Sequence, residues 1–368
     1  MSRFALGEPA PWFTAPTPTN PRFHFSSIAG RYVLLGFMPA GGEAQTAALT
    51  ALQARRALLD DNTVSAFVVL RDAHAIERAR DGRGLRWFLD ADGEVSRLWG
   101  ALDETGGEKP MWVLLDPALR VLSIAPLDAA DAMLARLATL PKVEDHAGVT
   151  LHAPVLIVPR VLEPDLCRRL IDLYEAEGGQ PSGVMREVDG RTVGVLDDFK
   201  KRRDVFIRDP ALQAALRTRL GRRLLPEIAK AFQFEATRIE RYIVASYDAE
   251  EGGYFRPHRD NTTKGTAHRK FAVSINLNAE EFEGGDLRFP EFGPRTYRPP
   301  TGGAVVFSCT LLHEATPVTR GRRYAYLPFL YDEAGARIRA ENLPFLQPDP
   351  PASGPAATEE AATAEAPA

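Results

Sequence analysis

The chain contains an extended, partly aromatic stretch that sets a histidine and an aspartate one residue apart: Tyr254-Phe255-Arg256-Pro257-His258-Arg259-Asp260. Side chains two positions apart point to the same face of a β-strand, so the stretch predicts a strand with His258 and Asp260 on one side. The triplet alone is weak evidence, because an ordinary surface turn would explain it equally well.

A second histidine strengthens the case for a metal site. His313 follows the strand-like segment Ala304-Val305-Val306-Phe307. Two imidazoles and one carboxylate form the facial triad that leaves iron(II) three open positions, enough for a bidentate 2-oxo acid and then dioxygen. Arg323 lies ten residues after His313 and opens the last predicted strand. Its planar, permanently charged guanidinium suits the distal carboxylate of such an acid.

The sequence around these residues predicts a sheet-rich fold. Short strands punctuated by glycine and proline are typical of a sandwich or jelly roll with helices packed outside. The predicted strands are 239–247, 271–277, 286–289, 304–307 and 323–330. Helical spacing predicts one helix over 166–176, after Pro164, and another over 210–231 that is broken or kinked at Pro226.

The first half of the chain has a different pattern. Three near-continuously apolar segments, 32–37, 64–70 and 111–115, predict strands covered on both faces. Helical spacing over 44–59 and 128–137 alternates with them. This alternation predicts an α/β layer built from crossover units.

The motifs of the second half together resemble the prolyl 4-hydroxylase-type branch of the iron(II)/2-oxoglutarate-dependent dioxygenases. The resemblance covers residues 150–335 and is carried by 252–261, 282–290, 302–307 and 313–324. It implies that His258, Asp260 and His313 bind iron(II), that Arg323 binds the distal carboxylate of 2-oxoglutarate, and that Tyr247 lines the co-substrate pocket. It also implies hydroxylation of a protein side chain, a prolyl residue being one candidate, or of a small molecule, with release of succinate and carbon dioxide. Dioxygen would be consumed, and L-ascorbate would serve as auxiliary reductant.

The first half resembles the peroxiredoxin-like branch of the thioredoxin fold. The resemblance is carried by the opening Gly7-Glu8-Pro9-Ala10-Pro11-Trp12-Phe13, by Phe37-Met38-Pro39-Ala40, and by Pro110 before a later strand. Such enzymes need a low-pKa cysteine at the helix start after the first strand, and residues 39–45 contain none. We therefore expect a redox-inactive domain that acts as a scaffold for docking or for positioning the second half.

These patterns predict a two-domain chain. We expect an N-terminal α/β thioredoxin-like domain over 1–147 and a double-stranded β-helix (jelly roll) with packed helices over 148–346. Residues 347–368 are rich in proline, alanine, glutamate and threonine and predict a disordered tail.

Composition limits the classes of partner. The formal net charge is -4, which gives no general attraction for nucleic acid or anionic membranes. No apolar run is long enough for a membrane helix, and the N-terminus lacks a signal-peptide core, so we expect a cytoplasmic protein. The two cysteines, Cys167 and Cys309, are interpreted as buried small hydrophobic residues.

Several alternatives remain open at this stage. The second domain could be a non-catalytic metal or small-molecule sensor, and a thiol peroxidase would need Cys167 or Cys309. Arg202-Arg203-Asp204 could hold a substrate, although a solvated strand end is the preferred interpretation. His268 lies in loop-like sequence and is not expected to bind the metal.

Overall fold

The computed structural model describes residues 3–346 and 364–365. The chain divides into two compact units: one extends to Ala153 and includes Pro290–Pro294, and the other comprises Pro154–Phe289 and the residues from Arg295 onward. The segment after 346, which the sequence predicts to be a disordered tail, lies outside the described residues apart from Ala364–Glu365.

The first unit is an α/β layer. Its helices are α1 (Glu43–Ala54), α2 (Ala73–Arg78), α3 (Glu94–Trp99) and α4 (Ala130–Leu137). Its strands are β1 (Thr14–Ala15), β2 (Phe23–His24), β3 (Tyr32–Phe37), β4 (Val64–Leu70), β5 (Leu85–Leu89), β6 (Met111–Leu115) and β7 (Val121–Pro126).

One five-stranded sheet, in the order β5-β4-β3-β6-β7, forms the centre of this unit. Strands β3, β4 and β5 are parallel, whereas β6 and β7 add antiparallel. Every residue of β3, β4 and β6 is buried, as their continuous apolar sequence predicts. The three strands predicted for this half are confirmed, and the parallel crossovers followed by a hairpin agree with the predicted thioredoxin-like fold.

In the described part of the second unit there are two facing groups of antiparallel strands and four helices. The helices are α5 (Pro164–Glu177), α6 (Pro210–Arg223), α7 (Leu225–Phe232) and α8 (Glu333–Asn342). The strands before the predicted metal site are β8 (Leu156–Val158), β9 (Gln180–Pro181), β10 (Val184–Val188), β11 (Arg191–Val195), β12 (Lys200–Lys201), β13 (Arg203–Phe206), β14 (Arg238–Glu240), β15 (Ile243–Asp248) and β16 (Tyr254–His258). The later strands are β17 (Phe271–Asn276), β18 (Glu283–Gly284), β19 (Leu287–Arg288), β20 (Thr296–Tyr297), β21 (Ala304–Ser308), β22 (His313–Ala315), β23 (Val318–Arg320), β24 (Arg322–Tyr326), β25 (Phe329–Tyr331) and β26 (Ala364–Glu365).

The larger sheet runs β26-β14-β25-β17-β24-β15-β13-β9, with β21 joined to β17 and β8 joined to β21, and the smaller sheet runs β12-β16-β22-β19-β20. Tyr247 from the larger sheet and Phe255 and Ala315 from the smaller one share a buried apolar cluster. The opposite side of the larger sheet packs against the helices, where Leu170 of α5 and Leu216 of α6 are fully buried. Two antiparallel sheets with helices on one outer side agree with the predicted jelly roll.

Three predicted elements are interrupted in the structure. The helix predicted over 210–231 ends at Arg223, and α7 begins at Leu225 with Pro226 in its first turn, which confirms the break at that proline. The strand predicted over 239–247 is divided at Arg241, whose φ is 66°. The strand predicted over 323–330 is divided between Tyr326 and Phe329, where Pro328 cannot donate a ladder hydrogen bond.

Within the described residues, no helix has both the length and the apolar character that crossing a lipid bilayer requires.

Candidate metal centre and co-substrate pocket

The structure brings the two predicted histidines and the aspartate together. His258 ends β16, His313 begins β22, and the two residues lie directly opposite each other in this antiparallel pair. The Nε2 atom of His258 is 3.6 Å from Oδ1 of Asp260, and the Nε2 atom of His313 is 3.2 Å from Oδ2. One ligand atom from each residue lies within 4.8 Å of the other two, so the three could hold a single metal ion.

Asp260 reaches this position by a different route from the one the sequence predicts. The strand ends at His258, and Asp260 lies in the following turn rather than on the strand. The pairing of β16 with β22 also shifts register between Phe255 and His258. The expected single extended strand carrying both ligands is therefore wrong in detail, because a bulge and a turn direct the aspartate toward the histidines.

Backbone carbonyls fix the orientation of both imidazoles. Nδ1 of His258 lies 2.7 Å from the carbonyl oxygen of Arg256, and Nδ1 of His313 lies 3.0 Å from that of Leu311. A carbonyl oxygen only accepts, so each Nδ1 must carry the proton and donate it. Each Nε2 then has a free lone pair directed at the common point, as a metal-binding histidine requires.

Burial and charge prepare the three side chains to bind a cation. Burial, and then the neighbouring His313, lower the pKa of His258 to about 4, so the imidazole is neutral near pH 7. Burial alone would raise the pKa of Asp260, but His313 and His258 outweigh it and hold this pKa well below its usual range. A neutral imidazole and an ionised carboxylate are the forms that bind metal.

Aromatic rings and backbone hydrogen bonds surround the triad. The ring of Phe255 stacks on His258 with 3.4 Å between ring centres, and Phe307 lies 4.5 Å from His313. The backbone N–H of Asp260 donates to the carbonyl oxygen of Cys309 over 2.9 Å.

Cys309 and Cys167 are both free and buried, as predicted, and burial raises the pKa of the Cys309 thiol well above its usual value.

Arg323 is a buried cation held by neutral acceptors. Its exposed fraction is 3 %. Its guanidinium donates to the carbonyl oxygen of Gly285 over 2.6 Å, to Oγ of Ser274 over 2.8 Å and to Oδ1 of Asn276 over 3.3 Å. No carboxylate of a described residue forms an ion pair with it. Because a buried charge without a counter-ion is unfavourable, this arrangement fits a pocket that receives an anion.

Tyr247 and a glycine complete the surroundings of Arg323. Tyr247 is its cross-strand partner, with the guanidinium carbon 5.4 Å from the centre of the tyrosine ring. Gly285 has a φ of 68°, and a Cβ atom there would lie 2.7 Å from Cγ2 of Val318 and 3.3 Å from Cδ of Arg323. Glycine is required at this position, because a side chain would collide with Val318 and with Arg323.

The structure corrects the preferred interpretation of Arg202-Arg203-Asp204. Arg202 and Asp204 are buried, with exposed fractions of 7 % and 9 %, and form an ion pair of 2.6 Å. They are therefore not a solvated strand end. The alternation of Lys200 and Arg202 with Lys201 and Arg203 was a sign in the sequence that could have indicated this burial.

His268 lies outside the triad, as predicted, but it is not an exposed loop residue. Its exposed fraction is 1 %, and its Nε2 lies 2.8 Å from Oε2 of Glu240. Arg269 donates to both carboxylate oxygens of the same glutamate, over 2.8 Å and 2.6 Å. Sequence reasoning missed this buried network, which lies next to the triad because Nη1 of Arg269 is 3.4 Å from the carbonyl oxygen of Asp260.

Comparison with known proteins agrees with this geometry. The model of the 2OG-Fe(II) oxygenase superfamily matches residues 242–331. A PKHD-type hydroxylase of Bordetella pertussis is 35% identical over 169 residues, which cover 42% of this chain and 74% of the relative.

Two solved structures are among those that resemble part of the chain. A Pseudomonas putida prolyl-4-hydroxylase is 20% identical, with a TM-score of 0.35, and covers 53% of this chain and 97% of its own. The bacterioferritin comigratory protein of Xanthomonas campestris is 17% identical, with a TM-score of 0.30, and covers 34% of this chain and 90% of its own.

Proposed function

The chain belongs to the 2OG-Fe(II) oxygenase superfamily, and we propose that it hydroxylates a C–H bond of a protein side chain or small molecule with release of succinate and carbon dioxide. It is a 2-oxoglutarate-dependent dioxygenase, and the family uses iron(II), 2-oxoglutarate and dioxygen. The observation that carries the proposal is the convergence of His258, Asp260 and His313 within 4.8 Å.

In this proposal the three side chains hold iron(II). When bound to two imidazoles and one carboxylate, iron(II) supplies the dioxygen chemistry that oxidises unactivated C–H bonds. The carbonyl oxygens of Arg256 and Leu311 keep both Nε2 atoms directed at the ion. The rings of Phe255 and Phe307 exclude water from the histidine side of the site.

Arg323 and Tyr247 form the proposed co-substrate pocket. The guanidinium, fixed by Gly285, Ser274 and Asn276, would pair with the distal carboxylate of 2-oxoglutarate, which supplies the counter-ion that the described residues do not. Tyr247, beside it on the neighbouring strand, would line the pocket.

We propose a hydroxylated product because the relatives that resemble this chain are named PKHD-type hydroxylases. A prolyl residue is one candidate target, and L-ascorbate is the proposed auxiliary reductant. A cytoplasmic location is proposed as well, and the two free, buried cysteines support it, since extracellular proteins tend to use disulfides.

The proposed domains are an oxygenase over 148–346 and a thioredoxin-like scaffold over 1–147. The separation of the chain into two compact units supports this division. The first domain is proposed to act without thiol chemistry, because the only cysteines of the chain are Cys167 and Cys309.

The proposal is tested by anaerobic titration of the protein with iron(II) and 2-oxoglutarate, followed by exposure to air with cell extract. We expect succinate formation and, by mass spectrometry, a product that has gained one oxygen atom. Binding of both without any succinate would favour the sensor alternative, and a failure to bind iron(II) would contradict the assigned site.

A further inference from the structure

Three basic side chains lie inside the second unit, and two of them have no acid in direct contact. Lys200 on β12, Arg202 just before β13, and Arg241 between β14 and β15 form what we call the inner basic cluster. The exposed fractions of Lys200 and Arg202 are 8 % and 7 %, and Arg241 is partly buried. Lys200 and Arg202 both donate to the hydroxyl of Ser182, over 2.7 Å and 3.2 Å.

Only one of the three charges is compensated by direct contact. Asp204 accepts from Arg202 over 2.6 Å and from the Ser182 hydroxyl over 2.6 Å. Nζ of Lys200 donates to neutral oxygens, those of Ser182 and of the Gly183 carbonyl. Arg241 forms no side-chain hydrogen bond or ion pair with a described residue, and its Nε atom is buried without a partner.

The cluster lies close to the metal triad at two points. Nζ of Lys200 is 5.0 Å from the centre of the Phe255 ring, which stacks on His258. Arg241 and Arg269 both contact the ring of Phe329, with guanidinium carbons 4.3 Å and 4.1 Å from its centre. Lys200 is therefore one side chain away from the triad, and Arg241 is two side chains away, through Phe329 and Arg269, which reaches the carbonyl oxygen of Asp260.

The metal and co-substrate do not account for these charges. Iron(II), the Asp260 carboxylate, the Arg323 guanidinium and the two carboxylates of 2-oxoglutarate together carry no net charge. The pairs Arg202–Asp204 and Arg269–Glu240 are each neutral. Lys200 and Arg241 therefore remain as two basic side chains for which the loaded centre supplies no anion.

Keeping these charges together is unfavourable in the absence of a ligand. Burial, and then the charges of Arg202 and Arg241, lower the pKa of Lys200 well below its usual value. Burial, and then Arg269, lower the pKa of Arg241 to about 10. Such an arrangement is typical of a binding site, where an incoming anion supplies the missing charge.

We propose that Lys200 and Arg241 form a subsite for an oxyanion of the substrate, so that the enzyme hydroxylates a molecule carrying a carboxylate or a phosphate group. An ammonium and a planar guanidinium together suit either group, since both offer several acceptor oxygens. The inference rests on the proposed metal and co-substrate sites, and it adds the charge class of the substrate.

The test measures anion binding after the co-substrate pocket has been filled. The full chain is loaded with manganese(II), which replaces iron without turnover, and with saturating 2-oxoglutarate, and is titrated calorimetrically with acetate and with methyl phosphate. We expect at least one probe to bind, and its Kd to rise at least tenfold in Lys200→Met and in Arg241→Met. Binding of acetate alone indicates a carboxylate substrate, and binding of methyl phosphate alone indicates a phosphorylated one.

Lys201→Met is the matched control, because Lys201 is the exposed neighbour of Lys200 on the same short strand. It should bind the probe like the parent, and Arg241→Lys, which keeps the charge, should retain most of the affinity. The inference is wrong if neither probe binds to the loaded parent, or if the Lys200→Met and Arg241→Met variants bind the probe as the parent does. It is also wrong if these variants instead lose affinity for 2-oxoglutarate, since the cations would then belong to the co-substrate pocket.

Melting temperature separates a ligand-binding role from a structural one. Removing an uncompensated charge relieves repulsion, so metal-free Arg241→Met should melt at or above the parent temperature. If the melting temperature decreased clearly in both Lys200→Met and Arg241→Met, the cluster would have a structural role and the inference would be wrong. Manganese and 2-oxoglutarate binding by the parent are measured first, so that a failure of the proposed function is distinguished from a failure of the anion subsite.

Discussion

Tyr247 and Arg323 lie directly opposite each other on β15 and β24, and the guanidinium of Arg323 is within cation–π distance of the tyrosine ring. Cross-strand partners share one face of a sheet, so both side chains point to the inside of the second unit. The side chains on either side of Arg323, Arg322 and Tyr324, point the other way, where both contact Glu175.

We expect Arg323→Met to raise the KM for 2-oxoglutarate about tenfold to a hundredfold, because hydrogen bonds to charged groups contribute about 1.5–3 kcal/mol. The turnover number at saturating co-substrate should fall much less. Succinate formation measured against 2-oxoglutarate concentration gives both quantities. Arg322→Met is the control on the opposite face, and an equal rise in KM for both variants would contradict the assigned pocket.

His313→Ala should weaken metal binding by about a hundredfold or more, because one of the three ligands is removed. Anaerobic titration with iron(II), or with manganese(II) followed by electron paramagnetic resonance, measures the affinity directly. A His24→Ala variant alters an exposed histidine of the first unit and should bind metal like the parent. Unchanged affinity in His313→Ala would show that the metal, if any, binds elsewhere.

The stability of the metal-free protein should fall in mild acid. The folded protein holds the pKa of His258 at about 4, against a usual value of 6.5, so the unfolded chain takes up this proton first as the pH decreases. The contribution of neutral His258 to the free energy of unfolding is fully present above pH 6.5. It is lost as the pH falls toward 4, and the loss amounts to up to roughly 3 kcal/mol. Protonation of the Asp260 carboxylate lowers the stability further at still lower pH, because the pKa of Asp260 in the folded protein is also below its usual value.

Urea unfolding at a series of pH values measures this dependence. A His258→Asn variant, which cannot be protonated there, should show a shallower decrease between pH 6.5 and 4. If the free energy of unfolding fell with pH equally steeply in the parent and in His258→Asn, then His258 would have its usual pKa in the folded protein.

Glu240→Gln should destabilise the protein by about 3–5 kcal/mol, because it leaves the buried guanidinium of Arg269 without its counter-ion. Thermal and urea unfolding measure the effect. Glu333→Gln removes the exposed partner of Arg238, another residue near the end of the same sheet, and should leave the transition nearly unchanged. If the two variants lost similar amounts of stability, the ion pair of Glu240 and Arg269 would contribute no more than an exposed one.

The sequence predicted those features that depend on local pattern. Continuous apolar runs identified β3, β4 and β6, and Pro226 identified the break between α6 and α7. His258, Asp260, His313 and Arg323 were predicted as site residues from their residue types and from the family resemblance, because ligand chemistry restricts the residues that can serve. The structure brings these four predicted residues to the inside of one unit.

The features that were missed depend on contacts between distant strands. Lys200 and Arg202 alternate with Lys201 and Arg203, and this period of two was a usable sign that one basic side chain in each pair faces inward. Nothing local to Glu240 indicated that it would pair with Arg269 across the sheet. The division of the predicted strand at Arg241 was equally hidden, because a positive φ at arginine has no sequence signature.

The environment of Cys309 determines how readily its thiol is oxidised. The backbone carbonyl oxygen of Cys309 accepts the N–H of Asp260, so this cysteine lies next to a residue of the triad. Only the thiolate reacts rapidly with peroxide, and burial together with the Asp260 charge keeps Cys309 protonated. Cys309 can therefore lie beside Asp260 with a thiol that reacts only slowly with oxidants.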